Sequence, residues 1–348
     1  MKNTTNDNPI RGLMKGKQAF ILLYTLTLIL SVLLIQGCRR KPAADTREVV
    51  EKKPIEFPAF NADSAYQWVA AQVGFGPRVV NTPSHKACGD YLLSELQRFC
   101  DTVYVQEGRS KAWNGEELRF RNLIGVFKPI EPSRIFISSH WDSRPYADHD
   151  PDPAFHRSPI DGANDGASGV GVILELARVL SQNPPPQGID LILFDAEDYG
   201  EPQGSDRSHV NNWGLGSQYW SAQPHVPLYR ARYGILLDMV GVPNPRFTWE
   251  GTSRYYAPDI LIMVWNKAAQ AGHAAHFVRD ETPPIVDDHY FINERIRIPT
   301  IDIIHHDPET PSGFFRYWHT RKDNMDYIDP QSLKMVGEVV IRVIYEPS

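Results

Sequence analysis

Several sequence signatures of other protein classes are missing from this chain. Its 348 residues include only three cysteines, and no two of them form a Cys-x-x-Cys pair that would carry metal or redox chemistry. The formal net charge is −6 and no basic stripe runs along the sequence, which argues against a nucleic-acid-binding surface. Gly204-Ser205-Asp206 and Gly216-Ser217 lack the Gly-x-Ser-x-Gly elbow, so a serine hydrolase is disfavoured. The ordinary apolar fraction instead predicts a globular chain with a sizeable core.

The first part of the chain has the layout of an export signal. Basic residues precede an apolar run over residues 19–35, which stops directly at Gly37-Cys38. This segment resembles a bacterial lipoprotein signal, in which residues 1–37 are removed and Cys38 is acylated. An uncleaved transmembrane anchor is the alternative, since the run is nearly long enough to span a bilayer. Either way we expect an exported chain on the periplasmic side, joined to the membrane by a flexible tether over 38–57.

The two remaining cysteines are predicted to be free. Cys88 and Cys100 fall in one predicted helix that begins at Ser84, which separates their Cα atoms by about 18 Å. That distance is far beyond the reach of a disulfide. We therefore expect two buried free thiols.

Strand and helix patterns alternate along the rest of the chain. An apolar run over 189–194, bounded by proline and glycine turns, predicts a buried strand. Further strands are predicted at 102–106, 122–127, 134–139, 232–240 and 296–304, and helices near 61–73, 84–99, 170–180, 257–271 and 331–345. This order predicts a three-layer α/β/α fold with a central mixed, mostly parallel sheet, in one domain over 58–348. Pro299 suggests that the last strand lies at an edge.

Acids and histidines collect where the predicted strands end. Asp195, Glu197 and Asp198 follow the strand at 189–194, and such crowding favours a cation or a catalytic task. The wider set comprises His140, Asp142, Asp165, Glu197, Asp198, Asp238, Asp287, Asp288, His289 and His319. Imidazole and carboxylate donors without thiolates suit a catalytic zinc, beside which a carboxylate that is not a ligand can act as a general base. A set of unrelated loop acids is the alternative.

Five motifs in order resemble the zinc-dependent aminopeptidase superfamily. They are His-Trp-Asp-Ser, Gly-Ala-Asn-Asp-Gly-Ala-Ser-Gly, Phe-Asp-Ala-Glu-Asp, Leu-Leu-Asp-Met-Val-Gly and Trp-His-Thr, and they cover nearly the whole mature chain. Two further features, the segment 286–289 and the arrangement Phe314…Trp318-His319-Thr320, are similar to the glutaminyl cyclase branch, the animal-type enzyme found also in some bacteria.

The resemblance implies a role for each site residue. One zinc would be bound by Asp165, Asp198 and His319; Glu197 would be the general acid/base, with Asp238 and Asp287 beside it; Phe314, Trp318 and Trp213 would be walls of the substrate pocket. Asp198 departs from the animal cyclases, which carry glutamate there. Aspartate is an equally hard oxygen ligand but is shorter by one methylene, so the change affects geometry more than chemistry. His140 and Asp142 would lie next to these ligands or belong to a second metal site.

Three functions remain open at this point. The first is a one-zinc glutaminyl cyclase that converts N-terminal glutamine to pyroglutamate and releases ammonia. The second is a two-zinc aminopeptidase, with His140, Asp165, Asp198, Asp238 and His319 as ligands and Asp165 as the bridge. The third is a non-catalytic binding lipoprotein, which the intact Glu197 disfavours. The Asp287-Asp288-His289 cluster favours the cyclase, so we expect the chain to act on peptides and proteins that begin with glutamine. We also expect a monomer.

Overall fold

The computed structural model describes residues 56–346. The predicted signal over 1–37, its Cys38 and the predicted tether as far as residue 55 lie outside the described residues. Within 56–346, no helix combines the length and the apolar character needed to cross a membrane.

Eight α-helices and eight strands make up the described part of the chain, besides short 3₁₀ turns. The helices are α1 Ala62–Val73, α2 Pro83–Phe99, α3 Ala167–Gln182, α4 Leu215–Ala222, α5 Gly251–Tyr256, α6 Pro258–Gln270, α7 Asp288–Arg295 and α8 Pro330–Tyr345. The strands are β1 Thr102–Lys111, β2 Glu117–Phe127, β3 Arg134–His140, β4 Gly188–Phe194, β5 Gly234–Asp238, β6 Phe247–Trp249, β7 Phe277–Glu281 and β8 Thr300–Ile304.

Six of these strands form one mixed sheet in the order β1-β2-β4-β3-β5-β8. The β4–β3, β3–β5 and β5–β8 pairings are parallel, whereas β1–β2 and β2–β4 are antiparallel. Strands β6 and β7 pair separately. The predicted mixed, mostly parallel sheet is therefore confirmed, and β8 lies at an edge, as Pro299 suggested.

Helices cover both faces of the sheet. Along β4, Leu191 and Leu193 pack into the core that is shared with α1, α2, α3 and α8, whereas Ile192 and Phe194 pack on the other side with Trp220 of α4. A strand buried on both faces is apolar at nearly every position, which is why this segment was visible in the sequence. The result is the predicted three-layer α/β/α arrangement.

The structure corrects two details of the sequence prediction. Helix α2 ends at Phe99, as predicted, so Cys100 lies outside it as the C-terminal cap; of the two free cysteines within 56–346, Cys88 is buried as expected but Cys100 is only half-buried. Strands β1 and β2 extend well beyond the predicted segments, because their outer halves form a hairpin whose exposed polar residues, such as Glu107 and Arg109, gave no apolar signal.

Candidate active site

Three of the predicted residues form a group that fits one metal ion. Asp165 lies just before α3, Asp198 follows β4, and His319 lies in the loop after β8. Nε2 of His319 is 3.3 Å from Oδ1 of Asp198 and 3.5 Å from Oδ2 of Asp165. All three residues are buried, and Oδ2 of Asp198 has no hydrogen-bond partner among the described residues. One imidazole nitrogen and two carboxylate oxygens that converge in this way match the donor set of a catalytic zinc with an open position.

The backbone of Glu197 and Asp198 is held by Asp142. Oδ1 of Asp142 accepts the N–H of Glu197 at 3.0 Å, and Oδ2 accepts the N–H of Asp198 at 3.2 Å. The preceding residue, Ala196, is buried with φ of 56°, a left-handed conformation that is uncommon for a residue with a side chain. The chain therefore turns sharply after β4. Asp142 therefore fixes the backbone of Glu197 and Asp198 through two hydrogen bonds. Its Oδ1 also lies 3.4 Å from Nδ1 of His140.

Asp195 does not belong with the other acids that follow β4. Its carboxylate contacts Nε2 of His85 at 2.8 Å and accepts the backbone N–H of Arg121 at 2.8 Å. The sequence grouped Asp195 with Glu197 and Asp198, but the turn at Ala196 separates it from them.

Glu197, Asp238 and Asp287 bring three further carboxylates to one cavity. Burial, and after it the charge of Asp287, raise the pKa of Glu197 well above its usual value. Burial raises the pKa of Asp238 to about 7; the charge of Asp287 adds to this effect, and the hydrogen bond from His140 opposes it. Because neighbouring carboxylates resist joint ionisation, this group is suited to hold a shared proton and to exchange it.

His140 lies at the centre of a second group of possible ligands. Its Nε2 is 3.0 Å from Oδ1 of Asp165 and 3.3 Å from Oδ1 of Asp238. These three residues also have the spacing of a metal site, and Asp165 belongs to both groups. The geometry therefore accommodates either one or two metal ions.

The cavity has a volume of about 610 Å³ and an aromatic wall. Trp213, Phe314 and Trp318 all line it. The Trp318 ring stacks on the imidazole of His319, with ring centroids 3.7 Å apart, and Phe314 packs on Trp318 at 4.6 Å. The ring of Trp213 is nearly parallel to that of His319, at 6.3 Å. The three aromatic residues named from the sequence thus line the cavity that contains the metal group.

Other predicted residues lie behind the cavity. The side chain of Asp288 is buried, with no hydrogen-bond partner for either oxygen among residues 56–346. Nε2 of His289 contacts Oε2 of Glu250 at 3.1 Å. Neither residue lines the cavity with Asp287.

Several residues of the site were not found from the sequence. Asp323 accepts the N–H of Asn164 at 2.8 Å and that of Asp165 at 3.0 Å, so it fixes the loop that carries a metal ligand. Asp302 of β8 is fully buried, and neighbouring acids, Asp287 first among them, add to the burial that raises its pKa. Residues within 282–286, after β7, and within 306–314, after β8, also line the cavity. These loops have no apolar periodicity that would have marked them in the sequence. The sequence did contain one signal for Asp302, because it is an acid within an otherwise apolar strand.

A buried carboxylate and imidazole centre beside a mostly parallel sheet defines the class of α/β metalloenzymes. Within that class the chain belongs to peptidase family M28, whose family model matches residues 122–344.

Solved structures with the same fold cover almost all of the described residues. The glutaminyl cyclase of Bacteroides thetaiotaomicron bound to N-acetylhistamine is 52% identical with a TM-score of 0.83, and the match covers 84% of this chain and 100% of that one. A Zn-dependent exopeptidase from Parabacteroides distasonis is 53% identical with a TM-score of 0.82, over 83% of this chain and 99% of that one.

Curated relatives are more distant. Aminopeptidase YwaD of Bacillus subtilis is 30% identical over 65% of this chain, but the match spans only 44% of that protein's length. The glutaminyl-peptide cyclotransferase of Bothrops jararaca is 26% identical over 76% of this chain and 75% of its own length.

Proposed function

We propose that this chain is a zinc-dependent glutaminyl cyclase, which converts the N-terminal glutamine of peptides and proteins to pyroglutamate and releases ammonia. The position of Asp287 in the cavity is the observation that supports this proposal most directly. A two-metal peptidase centre would use five ligands, His140, Asp165, Asp198, Asp238 and His319, together with Glu197 as its base. Asp287 is left over from that set, yet it lines the cavity and interacts with both Glu197 and Asp238.

The residues of the cavity support ring closure by proton transfer. Zinc held by Asp165, Asp198 and His319 would polarise the γ-amide carbonyl and stabilise the developing oxyanion. Glu197 takes a proton from the α-amine, whose nitrogen forms a bond to the γ-carbonyl carbon and closes a five-membered ring. The carbon–nitrogen bond of the side-chain amide then breaks, and Glu197 returns the proton to the departing ammonia.

Asp287 supports this cycle by its charge. Burial, and after it the charge of Asp287, hold the pKa of Glu197 well above its usual value, which suits a group that both accepts and donates a proton. Asp238 lines the same cavity, and the charge of Asp287 adds to the burial that raises its pKa. The aromatic wall of Trp213, Phe314 and Trp318 gives the cavity an apolar side. Because the nucleophile and its target belong to one substrate, orientation and water exclusion provide much of the remaining catalysis.

A two-zinc aminopeptidase is the second candidate. The spacing of His140, Asp165 and Asp238 favours it, as does the similarity to a protein described as an exopeptidase. The similarity to the Bacteroides thetaiotaomicron glutaminyl cyclase over the full length of that chain supports the first candidate. The two candidates differ in the product that they release.

Mass spectrometry of the products distinguishes the two reactions. The full-length, zinc-loaded chain in detergent is incubated with a glutamine-initiated peptide and, separately, with the same peptide initiated by leucine. We expect the first peptide to lose one ammonia and the second to stay intact. Release of the first residue from either peptide would instead identify an aminopeptidase.

We further propose that the enzyme binds one zinc ion and is attached to the membrane on the periplasmic side through a lipid on Cys38. The Asp165, Asp198 and His319 group supports the first statement. The apolar run that ends at Gly37-Cys38 supports the second.

A further inference from the structure

We propose that the buried ion pair between Arg144 and Asp148 positions the metal centre, because Arg144 donates to Asp198 and the carboxylate of Asp148 lies beside Nδ1 of His319. The proposal rests on the metal group of the proposed function, but it is independent of which reaction that metal supports. Neither residue was assigned a role from the sequence.

Arg144 is an interior guanidinium whose donors are all engaged. Nε and Nη2 form a bidentate pair with the two carboxylate oxygens of Asp148, at 2.9 and 2.8 Å. Nη1 donates to Oδ1 of Asp198 at 3.2 Å and to its backbone oxygen at 3.3 Å, and Nη2 also donates to the backbone oxygen of Glu201 at 3.0 Å. The side chain is 1% exposed. Arg144 therefore fixes both the carboxylate and the backbone of a metal ligand.

Asp148 makes the corresponding contact with the histidine ligand. Its Oδ1 lies 3.5 Å from Nδ1 of His319, which has no hydrogen-bond partner among the described residues. An acidic oxygen beside Nδ1 favours a proton on that nitrogen and leaves the Nε2 lone pair for a metal. Oδ2 of Asp148 also accepts the N–H of Gln203 at 2.8 Å, so the same carboxylate anchors the chain beyond Asp198.

Arg144 also places a fixed positive charge beside two buried carboxylates. Ligand atoms of Asp165, Asp198 and His319 lie within 4.8 Å of one another, and Nη1 of Arg144 is 3.2 Å from Oδ1 of Asp198. A guanidinium that a bidentate pair holds in place fixes the orientation of the carboxylate to which it donates. The guanidinium also lies 4.8 Å from the ring centroid of Trp213, so the pair connects the metal group to the wall of the cavity.

Zinc affinity tests this positioning role directly. The Asp148→Asn variant keeps the side-chain volume but removes the charge that faces Nδ1 of His319. We expect the dissociation constant for zinc, measured by competition with a chromophoric chelator on the full-length chain in detergent, to rise by roughly tenfold to a hundredfold. Arg144→Lys keeps the positive charge but loses the bidentate geometry, and we expect a smaller weakening in the same direction.

The chain contains a matched control pair. Arg134, which is partly buried, and Asp190, which is fully buried, form another bidentate ion pair with both contacts at 2.7 Å, and neither residue lines the cavity. We expect Asp190→Asn and Asp148→Asn both to lower the melting temperature, but Asp190→Asn to leave zinc affinity within about threefold of the parent value. If Asp148→Asn does not fold, Arg144→Lys decides the question against the same control.

Two results would overturn the proposal. In the first, the variants of the Arg144–Asp148 pair bind zinc as tightly as the parent chain. In the second, Asp190→Asn weakens zinc binding to the same degree, which would assign the effect to a general loss of stability. Neither result would bear on the choice between cyclase and aminopeptidase, because the measurement follows binding and not turnover.

Discussion

Glu197 combines deep burial with a position on the cavity, and the two properties together predict the effect of its removal. Its side chain is isosteric with glutamine, but glutamine cannot accept the proton of the α-amine. We expect Glu197→Gln to lower kcat by about 10²- to 10⁴-fold without lowering the melting temperature, since the ionised carboxylate is disfavoured in the folded chain. Glu107→Gln on the exposed hairpin is the control. Full turnover in the Glu197 variant would remove this residue from the mechanism.

Asp238 predicts a dependence of stability on pH. Burial raises its pKa to about 7, with Asp287 adding to the shift and His140 opposing it. A carboxyl whose pKa is raised on folding stabilises the folded chain most fully below its unfolded value of about 3.9, and this contribution is lost as pH rises towards 7.

Urea denaturation of the metal-free chain between pH 4 and pH 8 measures this contribution. Asp238→Asn cannot ionise, so the variant should lose less stability over this range than the parent chain does. Parallel pH profiles for the two proteins would show that Asp238 titrates normally in the folded state.

The residue that caps the N-terminus of helix α3 is a glycine, and its neighbours leave no room for a side chain. Gly166 has φ of 89°, and a Cβ there would lie 2.8 Å from the backbone oxygen of Asp142 and 2.8 Å from Cε1 of His140. Gly115 has nearly the same φ, 88°, but open space around it. Both alanine substitutions introduce backbone strain of about 1 kcal/mol, whereas only the first displaces residues around Asp165.

Comparing Gly166→Ala with Gly115→Ala therefore separates the effect of backbone strain from the effect of displacing the residues around Asp165. We expect Gly166→Ala to abolish most activity and to weaken zinc binding, and Gly115→Ala to lower only the melting temperature. Equal loss of activity in the two variants would mean that the start of α3 does not depend on this close approach.

The strands also show what could be predicted from the sequence. The run in β4 is apolar at almost every position because both of its faces are buried, and the acids that follow parallel strands converge at one edge of the sheet. That reasoning accounts for Asp198 and Asp238, whereas Asp165, which was grouped with them, lies in the loop just before α3. The same reasoning could not separate Asp195 from its neighbours, since the left-handed turn at Ala196 decides which way each carboxylate points.

The site residues that could not be predicted from the sequence make contacts between loops that are far apart along the chain. Asp323 holds the backbone of Asp165 across 158 residues of sequence, and Asp148 reaches His319 from the loop after β3. Neither loop carries a hydrophobic period, so only the folded chain reveals these partners. The resemblance to a known family supplied what periodicity could not, namely the aromatic residues Phe314 and Trp318.

Attachment of the whole molecule depends on Cys38 under the lipoprotein hypothesis. Cys38→Ser removes the thiol that would be acylated. In a bacterial host with lipoprotein processing, we expect the parent chain to lose residues 1–37 and to partition into the detergent phase after Triton X-114 extraction. We expect the variant to keep residues 1–37, because it lacks the thiol that processing requires. Cys88→Ser, in which a buried thiol is changed, should partition as the parent does. Equal processing of the Cys38 variant and the parent would favour an uncleaved anchor.

Metal content provides a test at the scale of the whole molecule. One zinc at Asp165, Asp198 and His319 needs no contribution from Asp238, whereas a second zinc would use Asp238 together with His140 and Asp165. Native mass spectrometry should therefore find one zinc in the parent chain and one in Asp238→Asn. Chelation should lower the melting temperature of both, since zinc at about 100 times its dissociation constant stabilises the folded state by about 2.7 kcal/mol. Two zinc ions in the parent and one in the variant would contradict the one-zinc cyclase and identify His140 and Asp238 as ligands.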